Sequence, residues 1–279
     1  MMVLDAFTSL FGIASGLLVG TLSGMLGIGG GMIIIPVLHL VFGLTAIQTT
    51  ATSLFIIIPT SLSGTITHIR QKTCIPSLGI SAGLGGSLTS PLGAYVANLS
   101  PSWLIMLAAA SVISYSGYTM LRSAHKLAHD NLKVAEENAL VTSTEEPQKV
   151  RLGKRKIALC FCIGMLAGFA AGFVGVGGGF IMVPLFLALA GISMHHASGS
   201  SLLGVCILAV PGVLEQLYLG NVQILPGLML VCGAIPGAVI GSRVMRKFSD
   251  KRLRYGFSVM LFGMALTLVG SEILPLLLG

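Results

Sequence analysis

Gly20 to Leu38 reads GTLSGMLGIGGGMIIIPVL, and Gly168 to Phe186 reads GFAAGFVGVGGGFIMVPLF. Laid on one another at an offset of 148 residues without a gap, Gly20, Gly24, Gly27, Gly29, Gly30, Gly31, Ile33 and Pro36 each meet an identical residue. The same offset carries Gly43 onto Gly191, Ser53 onto Ser201, Leu54 onto Leu202, Gly64 onto Gly212, Gly79 onto Gly227 and Gly93 onto Gly241. Apolar segments match easily by composition, so the weight rests on the glycine and proline register, which composition alone would scatter. The chain is therefore a duplication.

What surrounds the duplicated stretch is almost uniformly apolar. Of 279 residues, 54% are hydrophobic and 9% charged, with a mean hydropathy of +0.94. Soluble domains carry about 25% charge, so this chain cannot build a solvated skin and is expected to be an all-α integral membrane protein. A spanning helix needs about 20 apolar residues. By that measure the first copy divides into 6–24, 30–42, 49–68, 77–98 and 102–121, and the second into 157–172, 178–190, 197–217, 224–242 and 255–271. The second segment of each copy, introduced by the glycine cluster, is short for a crossing, and whether it crosses or re-enters is left open. The expected organisation is a first transmembrane repeat over 1–121, a charged connector over 122–156 and a second repeat over 157–279.

Charge orients the copies. Thirteen of the 25 charged residues fall between Arg122 and Lys156 and seven between Arg243 and Arg254. In the first copy the third connection carries Arg70 and Lys72 while the next carries none; in the second copy this is reversed. By the positive-inside rule the repeats lie in opposite senses, with both termini outside and the 122–156 loop in the cytoplasm. Within that loop, SAHKLAHDNLKVAEENAL is compatible with a short surface helix. The net charge of +7 is thus read as a topology signal; interleaved aromatics are lacking, and no nucleic-acid partner is expected. Five cysteines without CxxC spacing indicate neither a disulfide framework nor zinc, and most are expected to act as small core residues. MMVLDAF has no basic n-region, so the first apolar run is expected to remain in the mature protein.

Inverted repeats with interrupted helices are the mark of secondary transporters. Glycine admits backbone conformations closed to other residues, so Gly29, Gly30 and Gly31, and Gly177, Gly178 and Gly179, can each break a helix. The freed N–H groups and the positive end of the following helix would then make an anion site; the other reading is that these glycines only allow close helix crossing. Thr52, Ser53, Ser200 and Ser201 follow at matching positions. Their hydroxyls either donate to a bound oxyanion or cap and back-bond within their own helices. His68, Arg70, His195, His196 and Glu215 are ionisable groups in or near apolar segments and are candidate proton or charge sites, each with a structural reading beside it; His39 shares that position. No metal or cofactor is expected, and no nucleophile or HExxH spacing suggests an enzyme.

The paired G-x-x-x-G-x-x-G-[IV]-G-G-G-x-x-x-x-P segments, Gly20 to Pro36 and Gly168 to Pro184, with the hydroxyl pairs that follow, resemble the TauE/SafE family of anion transporters. The likeness covers essentially everything outside the central loop. It implies a proton-coupled exporter of sulfite, sulfoacetate or another organosulfonate in the cytoplasmic membrane, with thiosulfate or a carboxylate as alternative cargo and a passive anion channel as alternative mechanism. Expected partners are a small anion and the lipid bilayer, with a homodimer allowed. The first copy departs from the family's Gly-Asn turn, placing Gln71-Lys72-Thr73-Cys74 where the second has Leu219-Gly220-Asn221-Val222.

Overall fold

A computed structural model describes residues 6–137 and 154–278. Its elements are α1 (Ala6–Leu26), α2 (Gly31–Pro36), α3 (Ala46–Arg70), α4 (Pro76–Leu99), α5 (Ser102–Glu137), α6 (Lys154–Val174), α7 (Gly179–Leu185), α8 (Met194–Tyr218), α9 (Ile224–Met245) and α10 (Asp250–Leu278). No strand occurs among the described residues. Each expected segment falls on one helix, and α6 to α10 repeat α1 to α5 at the offset of 148. Among the described residues, five stretches are long and apolar enough to cross a bilayer: Ala46–Arg70, Trp103–Ser123, Arg155–Val174, Met194–Tyr218 and Ile224–Met245. α4 has the length, at 24 residues, but its glycines and serines dilute its hydropathy.

Local chemistry sets the boundaries in duplicate. Thr45 caps α3, accepting from Gln48 N while Gln48 reaches back in a capping box, and Ser193 caps α8 by accepting from His196 N. Both short helices run through a proline, which has no N–H to give, and continue as π-helical turns, Val37–Val41 and Phe186–Ala190. The turn after α3 takes the same path as the turn after α8: Thr73 N donates to His68 O and Asn221 N to Gln216 O, each at 3.0 Å. Gly220 (φ 72°) sits there in the left-handed region, and its mate Lys72 holds φ 58° despite its Cβ. The departure from a Gly-Asn turn therefore changes the side chains and leaves the backbone path unaltered.

The connector differs from expectation. Residues 123–137 continue α5 instead of forming a separate helix, because no glycine or proline interrupts the chain between Leu121 and Glu137. Residues 138–153 of the connector lie outside the described part.

Packing crosses between the copies. α1 lies along α9 and α6 along α4, while α3 meets α8 and α5 meets α10. The first two contacts are built from GxxxGxxxG stripes. A Cβ at Gly16, Gly20 or Gly24 would overlap the backbone of Leu230, Ala234 or Ala238, and at Gly164, Gly168 or Gly172 that of Ala82, Gly86 or Ser90. Small residues let helix backbones approach in lipid, where packing and not water exclusion drives association. The two sequence copies are thus interleaved in space. The cysteines follow the same solvent logic: Cys160 is buried and Cys74 and Cys206 half-buried, but Cys162 and Cys232 face outward, where lipid suits a thiol as well as a core does.

Candidate functional site

Both helix breaks need glycine. Gly27, Gly29 and Gly30 have φ of 79°, 83° and 89°, and Gly175, Gly177 and Gly178 have 75°, 82° and 43°, a left-handed run closed to most residues. After each break the chain re-enters a helix through bonds to the last glycine: Ile33 and Ile34 N to Gly30 O, Ile181 and Met182 N to Gly178 O. Among the described residues, the N–H groups of Gly29, Gly30, Gly177 and Gly178 donate to no backbone acceptor.

The breaks press against one another. A Cβ at Gly31 would overlap Val176 O and one at Gly179 would overlap Gly27 O. Two side chains that the sequence did not single out close over them: Ile57 lies 2.6 Å from where a Gly177 Cβ would stand, and Val205 lies 2.7 Å from that of Gly29. Ile57 and Val205 are repeat mates and both fully buried. Their only signal in the sequence was their place one turn beyond the hydroxyl pairs.

The hydroxyls stitch the copies together reciprocally. Ser201 Oγ donates to Gly27 O at 2.7 Å, and Ser53 Oγ donates to Gly175 O, the same bond with the copies exchanged. Thr52 Oγ1 accepts from Gln223 N and Ser200 Oγ from Ile75 N, both at 2.9 Å, again as mates. All four hydroxyl residues are fully buried. Of the hydroxyls read from the sequence, Ser53 and Ser201 thus hold the other copy's break, and Thr52 and Ser200 the other copy's turn. Beside Ser200, burial pushes the Cys74 thiol up to about 11, against a smaller opposing pull from the Ser200 hydroxyl.

The ionisable candidates do not share one place. His68 is fully buried, with Nε2 2.9 Å from Gly24 O and Nδ1 2.7 Å from Thr73 Oγ1. A carbonyl only accepts, so Nε2 carries hydrogen. In the second copy Gln216 stands in its place and Asn221 in that of Thr73, with Asn221 Nδ2 donating to Gln216 Oε1 at 2.7 Å and to Asn98 Oδ1 at 3.0 Å. Arg70 lies at the end of α3 in a cleft with Arg243. Glu215 is half-buried and its Oε2 has no partner among the described residues. His196 pairs with Ser193 and His39 with Leu44 O.

His195 Nδ1 meets Asp250 Oδ1 at 2.7 Å, and Asp250 Oδ2 accepts from Met194 N at 2.9 Å. Arg254 stands 3.7 Å from the same carboxylate. Burial pushes the Asp250 carboxyl up, but the His195 and Met194 hydrogen bonds and the charges beside it outweigh this and hold it below the usual carboxylate range. The cluster fastens the start of α8 to the start of α10. Asp250 was missed because its partner is 55 positions away; the one cue was an acidic residue opening a helix.

Ten helices among the described residues, in two interleaved copies, with apolar spans and a paired helix break with unspent donors, define a multi-pass membrane protein of the transporter class. The family model described as Sulfite exporter TauE/SafE matches residues 12–268, and the chain belongs to that family of membrane transporters, which are not enzymes. It is similar to the probable membrane transporter protein YunE of Bacillus subtilis, 27% identical over 93% of this chain and 94% of that one. A probable membrane transporter protein of Methanocaldococcus jannaschii is 25% identical over 90% and 91% of the two chains, and one of Xylella fastidiosa 27% identical over 86% of each. No solved structure matches the chain.

Proposed function

We propose that this protein exports a small sulfur-containing oxyanion, sulfite or an organosulfonate such as sulfoacetate, across the cytoplasmic membrane by proton-coupled alternating access. The observation that carries the reading is the pair of facing glycine breaks, whose Gly29, Gly30, Gly177 and Gly178 N–H groups are unspent. Backbone donors in a membrane interior need a partner from protein, water or ligand, and an oxyanion with several acceptors satisfies them without a counter-charge. The family description, sulfite exporter, supports the sulfur chemistry. Charge placement supports opposite orientation of the repeats, with both termini outside and the connector cytoplasmic.

In this reading Gly29 to Gly31, Gly177 to Gly179, Thr52, Ser53, Ser200 and Ser201 form the binding centre, and Ile57 and Val205 close it. Because α1 packs on α9 and α6 on α4, the bodies that rock are the cross-copy bundles, each holding helices of both repeats. The reciprocal Ser53 and Ser201 bonds join them when closed. His68 is the best-placed proton carrier: the Thr73 hydroxyl beside Nδ1 also lies 3.2 Å from His68 O, so it can turn away and accept when the ring gains a proton.

The test is transport by the purified protein in vesicles, with sulfite, sulfoacetate, thiosulfate, sulfate and a monocarboxylate at two pH values. Saturable sulfite or sulfonate flux driven by a pH gradient is expected. Gly178→Leu and Ser201→Ala should abolish it while the protein stays in the membrane; undiminished flux in both would remove the centre. Non-saturating flux indifferent to pH would replace the carrier with a channel.

A further inference from the structure

We infer that the cleft between the ends of α3 and α9 binds an anionic phospholipid of the surrounding bilayer, independently of what the transporter carries. The cleft encloses about 310 Å³. Arg70, from the last turn of α3, and Arg243, from the last turn of α9, stand at it together, with Ile66 and Val239 among its apolar lining and Ser63 and Thr67 beside them. Neither arginine has a hydrogen bond or an ion pair to any described residue. Two guanidinium groups lining one cleft can share an anion, and a phosphate diester matches their planar donors in two-pronged fashion.

The setting selects a lipid over a dissolved anion. Leu62, Ile66 and Ile69 on α3 and Ile235 and Ile240 on α9 are exposed apolar side chains on the same two helices, so the cleft lies in a belt that faces acyl chains. A chain laid on Ile66 and Val239 would bring its headgroup to Arg70 and Arg243. Basic pockets between membrane helices recognise lipid headgroups on this principle. Gln71 Oε1, also at the cleft, is buried without a partner among the described residues. It needs a donor, which phosphate oxygens do not supply and a glycerol headgroup hydroxyl does. Phosphatidylglycerol therefore fits both halves of the site.

The repeat supplies an internal control. At the mates of these positions the second copy carries Tyr218 for Arg70, Glu215 for Thr67 and Leu219 for Gln71, and the first copy carries Tyr95 for Arg243. The corresponding place thus has no cation and one carboxylate, so the site belongs to one leaflet, the cytoplasmic one on the charge orientation above.

Native mass spectrometry of the full chain, with phosphatidylglycerol or phosphatidylcholine added in detergent, tests this. The wild type should keep one phosphatidylglycerol and no phosphatidylcholine at matched concentration. Arg70→Gln/Arg243→Gln should weaken that retention about thirtyfold, the product of two basic residues' usual worth near an anionic headgroup, and Arg252→Gln, which removes one positive charge from an exposed position, should leave it unchanged. Val239→Trp fills the apolar lining while sparing both arginines and should also expel the lipid. Equal retention by the double variant, or equal loss in Arg252→Gln, would overturn the site. If sn-glycerol 3-phosphate raises the wild-type melting temperature as much as phosphatidylglycerol does, and still does so in Val239→Trp, the occupant is a free oxyanion and the lipid assignment falls.

Discussion

The centre of the molecule and its helix-end turns come from the same duplicated sequence, yet only the centre has kept the two copies interchangeable. Around the breaks the hydroxyl bonds are mirrored: Ser53 with Gly175 O and Ser201 with Gly27 O, and beside them Thr52 with Gln223 N and Ser200 with Ile75 N. In the last turns of α3 and α8 and just beyond them the backbone is still the same, but the side chains have diverged to His68, Arg70, Lys72 and Thr73 against Gln216, Tyr218, Gly220 and Asn221. A binding centre that must be met from either side gains from being symmetrical. The ends face two different compartments and can differ in charge and protonation without disturbing it.

Perturbing mates in pairs can break or sharpen this contrast. The largest effect is expected at the glycine stripes: Gly24→Leu and Gly172→Leu each drive a side chain into facing backbone. Such overpacking costs about 3 kcal/mol or more, so each should remove most of the monodisperse protein on fluorescence-detected size exclusion, to the same degree. Unequal losses would show that the bundles α1–α9 and α4–α6 do not contribute alike.

Next come Ser53→Ala and Ser201→Ala, each of which leaves a buried carbonyl with one partner fewer. About 1–3 kcal/mol is expected for each, read as matched drops in melting temperature in detergent. Because the two bonds join the same bodies, the double variant should lose less than the sum; full additivity would separate them.

At the turns the signs should oppose. Lys72→Gly relieves a left-handed non-glycine residue and should stabilise by about 1 kcal/mol, whereas Gly220→Ala introduces that strain and should destabilise by a similar amount. Shifts of the same sign in both would mean that the side chains, not the shared backbone, govern these turns.

The smallest effect belongs to the cluster without a mate, since Ile47, Ser102 and Met106 occupy the register positions of His195, Asp250 and Arg254. The folded-state value of Asp250 lies below its ordinary 3.8, so its contribution is whole above the carboxylate range and fades as pH falls through the lowered value. Melting temperature followed from pH 6 downward should decline less steeply in Asp250→Asn than in wild type at the acid end.

The helix breaks, the duplication and all ten segments were legible because glycine and proline act locally, through φ and a missing donor, and so leave their mark in register. The hydroxyl pairs were legible as site residues, but their use was not. Ser53 and Ser201 bond across the copies, and no local rule says that a serine will find a carbonyl 122 or 174 residues away. The pairing of α1 with α9 and α4 with α6 was hidden for a related reason: a GxxxG stripe advertises that something will approach closely without saying what. Ile57 and Val205 were two apolar residues among many. Asp250 and Arg243 were read as topology charges, which fits their place in the charged stretch but misses their particular neighbours.

The reciprocity of the two serine bonds has an evolutionary and practical reading. A contact in which residue i of one half meets j of the other, while j of the first meets i of the second, is an isologous interface, the kind that builds two-fold homodimers. The present chain is in that sense a dimer made permanent by the tether that joins α5 to α6. One half on its own would leave the glycine stripes of two helices and a broken helix without their complements, so the unit that must be inserted, quality-controlled and degraded is the whole pair. A chain severed in the tether should assemble only when both pieces are made together, and co-purification of differently tagged halves would reveal it.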